Sequence, residues 1–322
     1  MKNLFSKTIF ILLFFQNNCL ATNLKNATFE KIWALMQNEY NIITNNYNVS
    51  KYEKYCHTEW KKHRKNLEKI IYGKPNKNFL SNPIIAGTMV RSGINATQKF
   101  EIAYLEKCIS SSTKDKLKQF KDVDAGWTPH TCKEFNCSVN TLGHLFYVAK
   151  IFEKLNHTEI KTVVEFGGGY GNLAHVLKKT QPDVTIVIFD LPELIALQSV
   201  FLRSNLPQED IIVHYNSPEN YKEKAIHLIP IYLLEDTKID ADAFISNFAL
   251  SETSLEMQNI IFNKNFFNAN ICYISGQFKG CGFTNHGTVF EHLRYCYPNT
   301  EFQPFHFLSG KKIVAYEAIA TR

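Results

Sequence analysis

The chain has 322 residues, 45% of them hydrophobic and 20% charged, which excludes a disordered polymer and leaves room for two cored domains. Its formal charge of +6 is small and spread along the sequence, so neither a nucleic-acid footprint nor an acidic partner is expected. The densest basic run, Trp60-Lys61-Lys62-His63-Arg64-Lys65, reads as a solvated helix face.

At the N-terminus Lys2 and Lys7 precede the apolar residues 8–15, and a polar stretch then ends in Cys19-Leu20-Ala21. That is the three-part plan of a secretory signal peptide, and the apolar run is too short to span a bilayer. Residues 1–21 are therefore expected to be a leader for the secretory pathway, either the ER/Golgi lumen or secretion. A misassigned start or a buried N-terminal helix is the competing account and would leave the chain cytoplasmic. Without Lys2 and Lys7 the charge falls to about +4.

Beyond the leader Cys56, Cys108, Cys132, Cys137, Cys272, Cys281 and Cys296 remain, an odd number, so pairing within the chain leaves at least one thiol over. No Cys-x-x-Cys or His-Glu-x-x-His occurs, and no metal site is expected. Asn26, Asn48, Asn95, Asn136 and Asn156 each begin an Asn-x-Ser/Thr acceptor, which suits a glycoprotein.

Residues 22–157 read as a mainly helical N-terminal part. Phe29, Ile32, Trp33 and Met36 recur at helical spacing, as do Ile102, Leu105 and Ile109. Asn140-Thr141-Leu142-Gly143-His144 looks like a capped helix start, and residues 74–93 form a loop-rich interval punctuated by Pro75, Pro83, Gly87 and Gly93. From residue 158 to 322 short β-branched runs alternate with helical patterns, the signature of a parallel α/β sheet. Strands are expected at residues 162–166, 185–190, 226–231, 243–247 and 271–275. Residues 303–308 and 313–319 complete a set of seven as an antiparallel hairpin.

The first of these strands runs into Glu165-Phe166-Gly167-Gly168-Gly169-Tyr170-Gly171-Asn172. Missing side chains let the backbone turn tightly and approach a ligand, while a helix starting near Asn172 aims free N–H groups at the same place. Asp190 ends the next strand, where a carboxylate accepts hydrogen bonds from the two hydroxyls of a ribose. Glu165, at the end of the first strand, suits a cationic group. Together they describe a pocket for a positively charged nucleoside.

At these residues the chain resembles the class I S-adenosylmethionine-dependent methyltransferases: Glu165, Gly167, Gly169 and Gly171 match the motif acidic-x-Gly-x-Gly-x-Gly, and Asp190 matches its ribose-binding acid. Phe189-Asp190-Leu191-Pro192, Ser246-Asn247, Ser251-Glu252 and the terminal hairpin further resemble a family of sugar O-methyltransferases, over residues 160–320. The resemblance implies a Rossmann-like methyltransferase sheet behind the helical part, S-adenosyl-L-methionine as cofactor, and a sugar or glycan as acceptor. It places Glu165, Gly167, Gly169, Tyr170, Gly171, Asn172, Asp190, Leu191 and Asn247 around the cofactor. The competing register, Gly169-Tyr170-Gly171-Asn172-Leu173-Ala174, fits the dinucleotide form Gly-x-Gly-x-x-Ala of an oxidoreductase but gives Gly167, Gly168 and Glu165 no role.

Methyl transfer to a hydroxyl needs alignment and removal of a proton. Plant phenolic O-methyltransferases, which share Phe-Asp-Leu-Pro, carry a catalytic histidine after the fourth strand, where this chain reads Asn247-Phe248-Ala249-Leu250-Ser251-Glu252. Glu252 is therefore the first candidate base and His286 the second, with His144 and His130 able to reach the cleft from the helical part. Glu252 reads equally as a helix N-terminal acid. The absent histidine also allows a relative that binds cofactor or glycan without turnover.

Overall fold

The computed structural model describes residues 24–46, 56, 58–91, 96–118, 120–123, 125–126, 131–155, 160–279, 286–305 and 314–322, so the expected leader, His130, Cys281, Asn48, Asn95 and Asn156 lie outside the described residues. The N-terminal part contains α1 (Phe29–Asn45), α2 (Thr58–Ile71), α3 (Pro83–Met89), α4 (Ala96–Lys107) and α5 (Ser111–Lys118). A small hairpin of β1 (Thr131–Cys132) and β2 (Cys137–Ser138) then leads into α6 (Val139–Lys154). Ile32, Trp33, Met36, Tyr40 and Ile43 bury one face of α1 at helical spacing. The start of α6 lies earlier than its pattern suggests: Ser138 is the N-cap, and its hydroxyl accepts from the Thr141 N–H at 3.2 Å.

The rest alternates β3 (Thr162–Phe166), α7 (Asn172–Thr180), β4 (Thr185–Asp190), α8 (Pro192–Asn205), β5 (Ile211–Val213), β6 (Ile226–Pro230), β7 (Ala243–Asn247), α9 (Leu255–Asn263), β8 (Ile271–Lys279), α10 (His286–Cys296), β9 (Glu301–Phe305) and β10 (Val314–Thr321). The sheet order is β5-β6-β4-β3-β7-β8-β10-β9. Pairs from β5 to β8 are parallel, whereas β10 runs antiparallel to both β8 and β9. This is a Rossmann-like sheet with helices on both faces and a C-terminal antiparallel pair. It has eight strands, not the expected seven: β5 adds a three-residue edge beside β6. Three residues are too few to show a strand period, which is why Ile211-Ile212-Val213 gave no signal.

Successive residues of each strand face opposite layers. Val163, Ile186, Ile188, Ile226, Leu228, Ile245 and Tyr273 join the core that α1, α2, α6, α7 and α8 cover. Val164, Phe166, Val187, Phe189, Ile229, Phe244 and Ile274 join the second core with Met257 and Ile261 of α9 and Leu293 of α10. The first core runs without interruption from Trp33 and Met36 to the sheet.

Charged pairs orient the N-terminal helices on α8. Arg203 forks onto the two oxygens of Glu39 at 2.6 and 2.8 Å, and the Ser199 hydroxyl donates to the same carboxylate. Arg64 of α2 bonds both oxygens of Glu193 at 3.0 and 3.1 Å, and the Tyr40 hydroxyl donates there too. Buried ion pairs repay their desolvation only when so fully hydrogen-bonded, and their fixed geometry sets where a helix sits. The basic run at 60–65 is thus not simply a solvated face, since Arg64 is committed to α8 and Trp60 and His63 turn to the cleft described next.

Candidate functional site

In an open parallel sheet the ligand crevice forms beyond the carboxyl ends of the strands, where successive connections depart to opposite sides. Here β3 has β4 on one side and β7 on the other, and a cleft of about 620 Å³ opens above all three. That volume lies within the range of small-molecule sites, roughly 300–1,000 Å³. The cleft is walled by the end of β3 and its loop from Glu165 to Tyr170, by the end of β4 from Phe189 to Leu191, and by the end of β7 from Asn247 to Ala249.

The glycines earn their places individually. Gly167 has φ +80° and a side chain there would lie 2.0 Å from the Ala249 methyl. Gly169, at φ +58°, has only the Met89 sulfur at 4.0 Å in front of it, so its bare backbone borders open cleft. Gly171, at φ +98°, is the N-cap of α7. These left-handed conformations favour glycine over any residue with a Cβ.

Glu165 is buried, and its Oε2 has no hydrogen-bond partner. Burial, and secondarily the neighbouring charge of Asp190, push its carboxyl up to about 8. Asp190 is satisfied: its Oδ1 accepts from Leu191 N at 2.8 Å, and its Oδ2 from Gly169 N at 3.1 Å and from the Gln198 amide at 2.8 Å. Burial still lifts it to about 7, against the lowering effect of those bonds. Asp190 thus locks the glycine loop to β4 with most of its acceptor capacity, and the bond to Leu191 is local rather than a cap on α8, whose N-cap Leu191 makes no side-chain bond.

Tyr170 and Asn172 fasten the loop to α6 rather than lying bare in it. The Tyr170 hydroxyl receives the Asn140 amide and its ring packs edge-on to Phe201 at 4.8 Å. The Asn172 amide donates to Thr141 Oγ1 at 3.2 Å and lies 3.0 Å from His144 Nδ1. Asn247 accepts from the Ser275 hydroxyl at 3.0 Å while lining the cleft.

Glu252 occupies a short 3-10 turn, Leu250–Glu252, and not the first turn of α9, which Ser254 caps. Its Oε1 accepts from the Gln277 amide at 2.9 Å and its Oε2 from the Trp60 indole at 3.2 Å. Burial raises it to about 7, the two donors opposing that shift, so it exchanges a proton near neutral pH. His144 also lines the cleft. Its Nδ1 lies 2.9 Å from the Asn140 carbonyl, and burial followed by the charge of Arg91 depresses it to about 3, a neutral ring. His286 begins α10, but its side chain lies outside the described residues.

The helical part supplies cleft residues for which the sequence carries no spacing signal: Trp60, His63, Met89, Arg91 and Tyr147. Arg91 bonds Glu101 at 2.6 Å and the Tyr147 hydroxyl, and Gly143 leaves the space its guanidinium fills, 2.3 Å from where a Cβ would be. Among the described residues no group of His, Cys, Asp or Glu is placed to hold a metal, and no helix is long and apolar enough to cross a membrane.

A cationic nucleoside fits these residues on two counts. The unpaired Glu165 oxygen supplies a buried partner for positive charge, and the bare Gly169 backbone leaves space for a ligand against the loop.

A family model described as an O-methyltransferase domain matches residues 128–218, the segment holding α6, the glycine loop and Asp190. No curated protein matches the chain. Similar solved structures include the magnesium protoporphyrin IX methyltransferase of Synechocystis with bound S-adenosylmethionine, 11% identical over 72% of this chain and 100% of that one, at a TM-score of 0.41. The N-terminal domain of EvdMO1, solved with S-adenosylhomocysteine and D-fucose, is 11% identical over 53% of this chain and 79% of its own, at 0.39. A phosphoethanolamine N-methyltransferase of Haemonchus contortus is 7% identical over 55% and 52%, at 0.40.

Proposed function

We propose that this chain moves a methyl group from S-adenosylmethionine to a hydroxyl of a sugar or glycan, with Glu252 as the base. The observation that carries the donor site is the buried, unpaired Glu165 oxygen beside the bare Gly169 backbone. The match of the loop-bearing segment to an O-methyltransferase domain supports methyl transfer as the activity.

When bound, the donor supplies an electrophilic methyl carbon on a sulfonium. The rest is done by this chain. Glu165 offers its free oxygen to positive charge, the Gly167–Gly171 backbone cradles the ligand, and Asp190 holds that backbone in place while presenting a carboxylate edge to hydroxyls. Glu252 takes the acceptor's proton, its carboxylate kept oriented by Trp60 and Gln277. An aliphatic hydroxyl is weakly acidic, so a carboxylate excluded from water is better placed than a solvated one.

The sugar assignment is supported by the cleft wall around Glu252, where the Trp60 indole stands beside the His63 ring and shares the Glu252 carboxylate with the Gln277 amide. A flat apolar ring among such groups suits a polyol with one hydrophobic face. A lumenal location is supported by the leader pattern at 1–21 and by the exposure of Asn26 and Asn136. The test is incubation with methyl-labelled donor and a panel of free sugars, glycans and phenols. Label on a sugar hydroxyl is expected. Label on phenols alone would replace the acceptor, and calorimetry showing NADH binding without S-adenosylmethionine binding would overturn the donor.

A further inference from the structure

Cys132 and Cys137 stand directly opposite each other in the antiparallel β1/β2 pairing, on either side of the turn at 133–136. Both are fully buried thiols. Opposed residues of an antiparallel pair project to the same side with Cα atoms about 4.5–5.5 Å apart. A disulfide spans Cα separations of about 4.4–6.8 Å, so the pairing register already brings the two within bridging distance.

The hairpin is small for the task it performs. Its strands have two residues each, and β2 passes straight into α6 through the Ser138 cap. Asp122 adds one tie, accepting the Ser138 N–H and the Thr141 hydroxyl. From that start α6 carries Asn140 to Tyr170 and His144 to the cleft. A two-residue ladder is a weak anchor for a helix that sets part of the site.

We propose that Cys132 and Cys137 form a disulfide that staples this hairpin and fixes the start of α6. The bond needs an external oxidant, a disulfide of the glutathione class. One cysteine loses its proton and attacks that disulfide, releasing a glutathione thiolate and leaving a mixed disulfide. The second cysteine then loses its proton and displaces the remaining glutathione. In sum two cysteine thiols are oxidised by two electrons and one glutathione disulfide becomes two thiols. Burial pushes both cysteines up, which makes them poor nucleophiles once enclosed, so the bond forms while the hairpin is still assembling. The hydrogen bond lost is a thiol contact to the exposed Glu134 at 3.2 Å.

The test uses the full chain, refolded from denaturant in a reduced/oxidised glutathione couple, alkylated, and digested with trypsin without reduction. Cleavage after Lys133 falls inside the turn, so peptides 122–133 and 134–150 are expected as one species, lighter than their sum by two hydrogens, that separates on reduction. The C132S/C137S variant should melt below oxidised wild type and together with reduced wild type. Refolded protein in which both cysteines are alkylated on separate peptides overturns the proposal, as does linkage of either to a third cysteine. Because the readout is a peptide mass, it stands or falls separately from the methyltransferase reading.

Discussion

Trp60 donates its indole N–H to Glu252 across 192 residues of sequence, joining α2 of the helical part to the turn after β7. The bond holds the proposed base against the acceptor side of the cleft and favours its ionised form.

Glu252 must be deprotonated to act, so kcat/KM should rise with pH through about 7. Trp60→Phe removes a donor that favours the carboxylate. It should raise the carboxyl pKa and move the acidic limb to higher pH, with activity recovered on the plateau. Glu252→Gln should lower kcat by about 100-fold or more. A pH-rate profile of the three proteins checks this, and an unmoved limb in W60F excludes Glu252 as the titrating base.

Glu165 holds a proton in the folded, ligand-free chain up to about pH 8, whereas an unfolded carboxyl releases it near about pH 4. Its contribution to stability is therefore complete at low pH and is lost as pH rises through that window. The Tm of the ligand-free protein should fall between pH 7 and 9, above the range in which the depressed buried histidines act in the opposite sense, and Glu165→Gln should make the slope shallower, Asp190 and Glu252 contributing in the same direction. A cationic ligand reverses the balance. Binding of S-adenosylmethionine at pH 7 should release protons, read as a dependence of the calorimetric heat on the buffer's ionisation enthalpy, and E165Q should abolish most of it.

Asp190→Ala leaves the Gly169 N–H, the Leu191 N–H and the Gln198 amide without their acceptor. The loss of a charged hydrogen-bonding group costs about 2 kcal/mol, a weakening of cofactor binding by tens-fold. Titration calorimetry measures it, and wild-type affinity would remove Asp190 from the donor site.

Gly167→Ala forces a Cβ onto the Ala249 methyl at a left-handed φ. The loop must shift, so cofactor affinity should fall at least tenfold, with about 1–3 kcal/mol lost in urea denaturation.

The alternation of β3, α7, β4 and α8 was legible from residue 158 onward because a buried parallel strand is a dense apolar run and its turn is punctuated by glycine. The candidate donor side was legible for the same reason: Glu165, Gly167, Gly169, Gly171 and Asp190 lie within two consecutive strand ends, so their spacing is local. The edge strand β5 was not, being too short to carry a period, and the α6 cap lies two residues before the expected Asn140, at Ser138, whose hydroxyl accepts from the Thr141 N–H.

Apart from Glu252 and His144, the acceptor side had no local signal. Trp60, Arg91, Tyr147 and Gln277 come from four separated segments, and what unites them is the docking of the helical part through Arg64–Glu193 and Arg203–Glu39. Sequence alone determined the α/β order and the glycine loop, since both depend on residues a few positions apart. Tertiary structure decided which carboxylate is satisfied and which stands open, Asp190 against Glu165, and gave Glu252 its partners, because burial and long-range hydrogen bonds exist only once the chain has closed on itself.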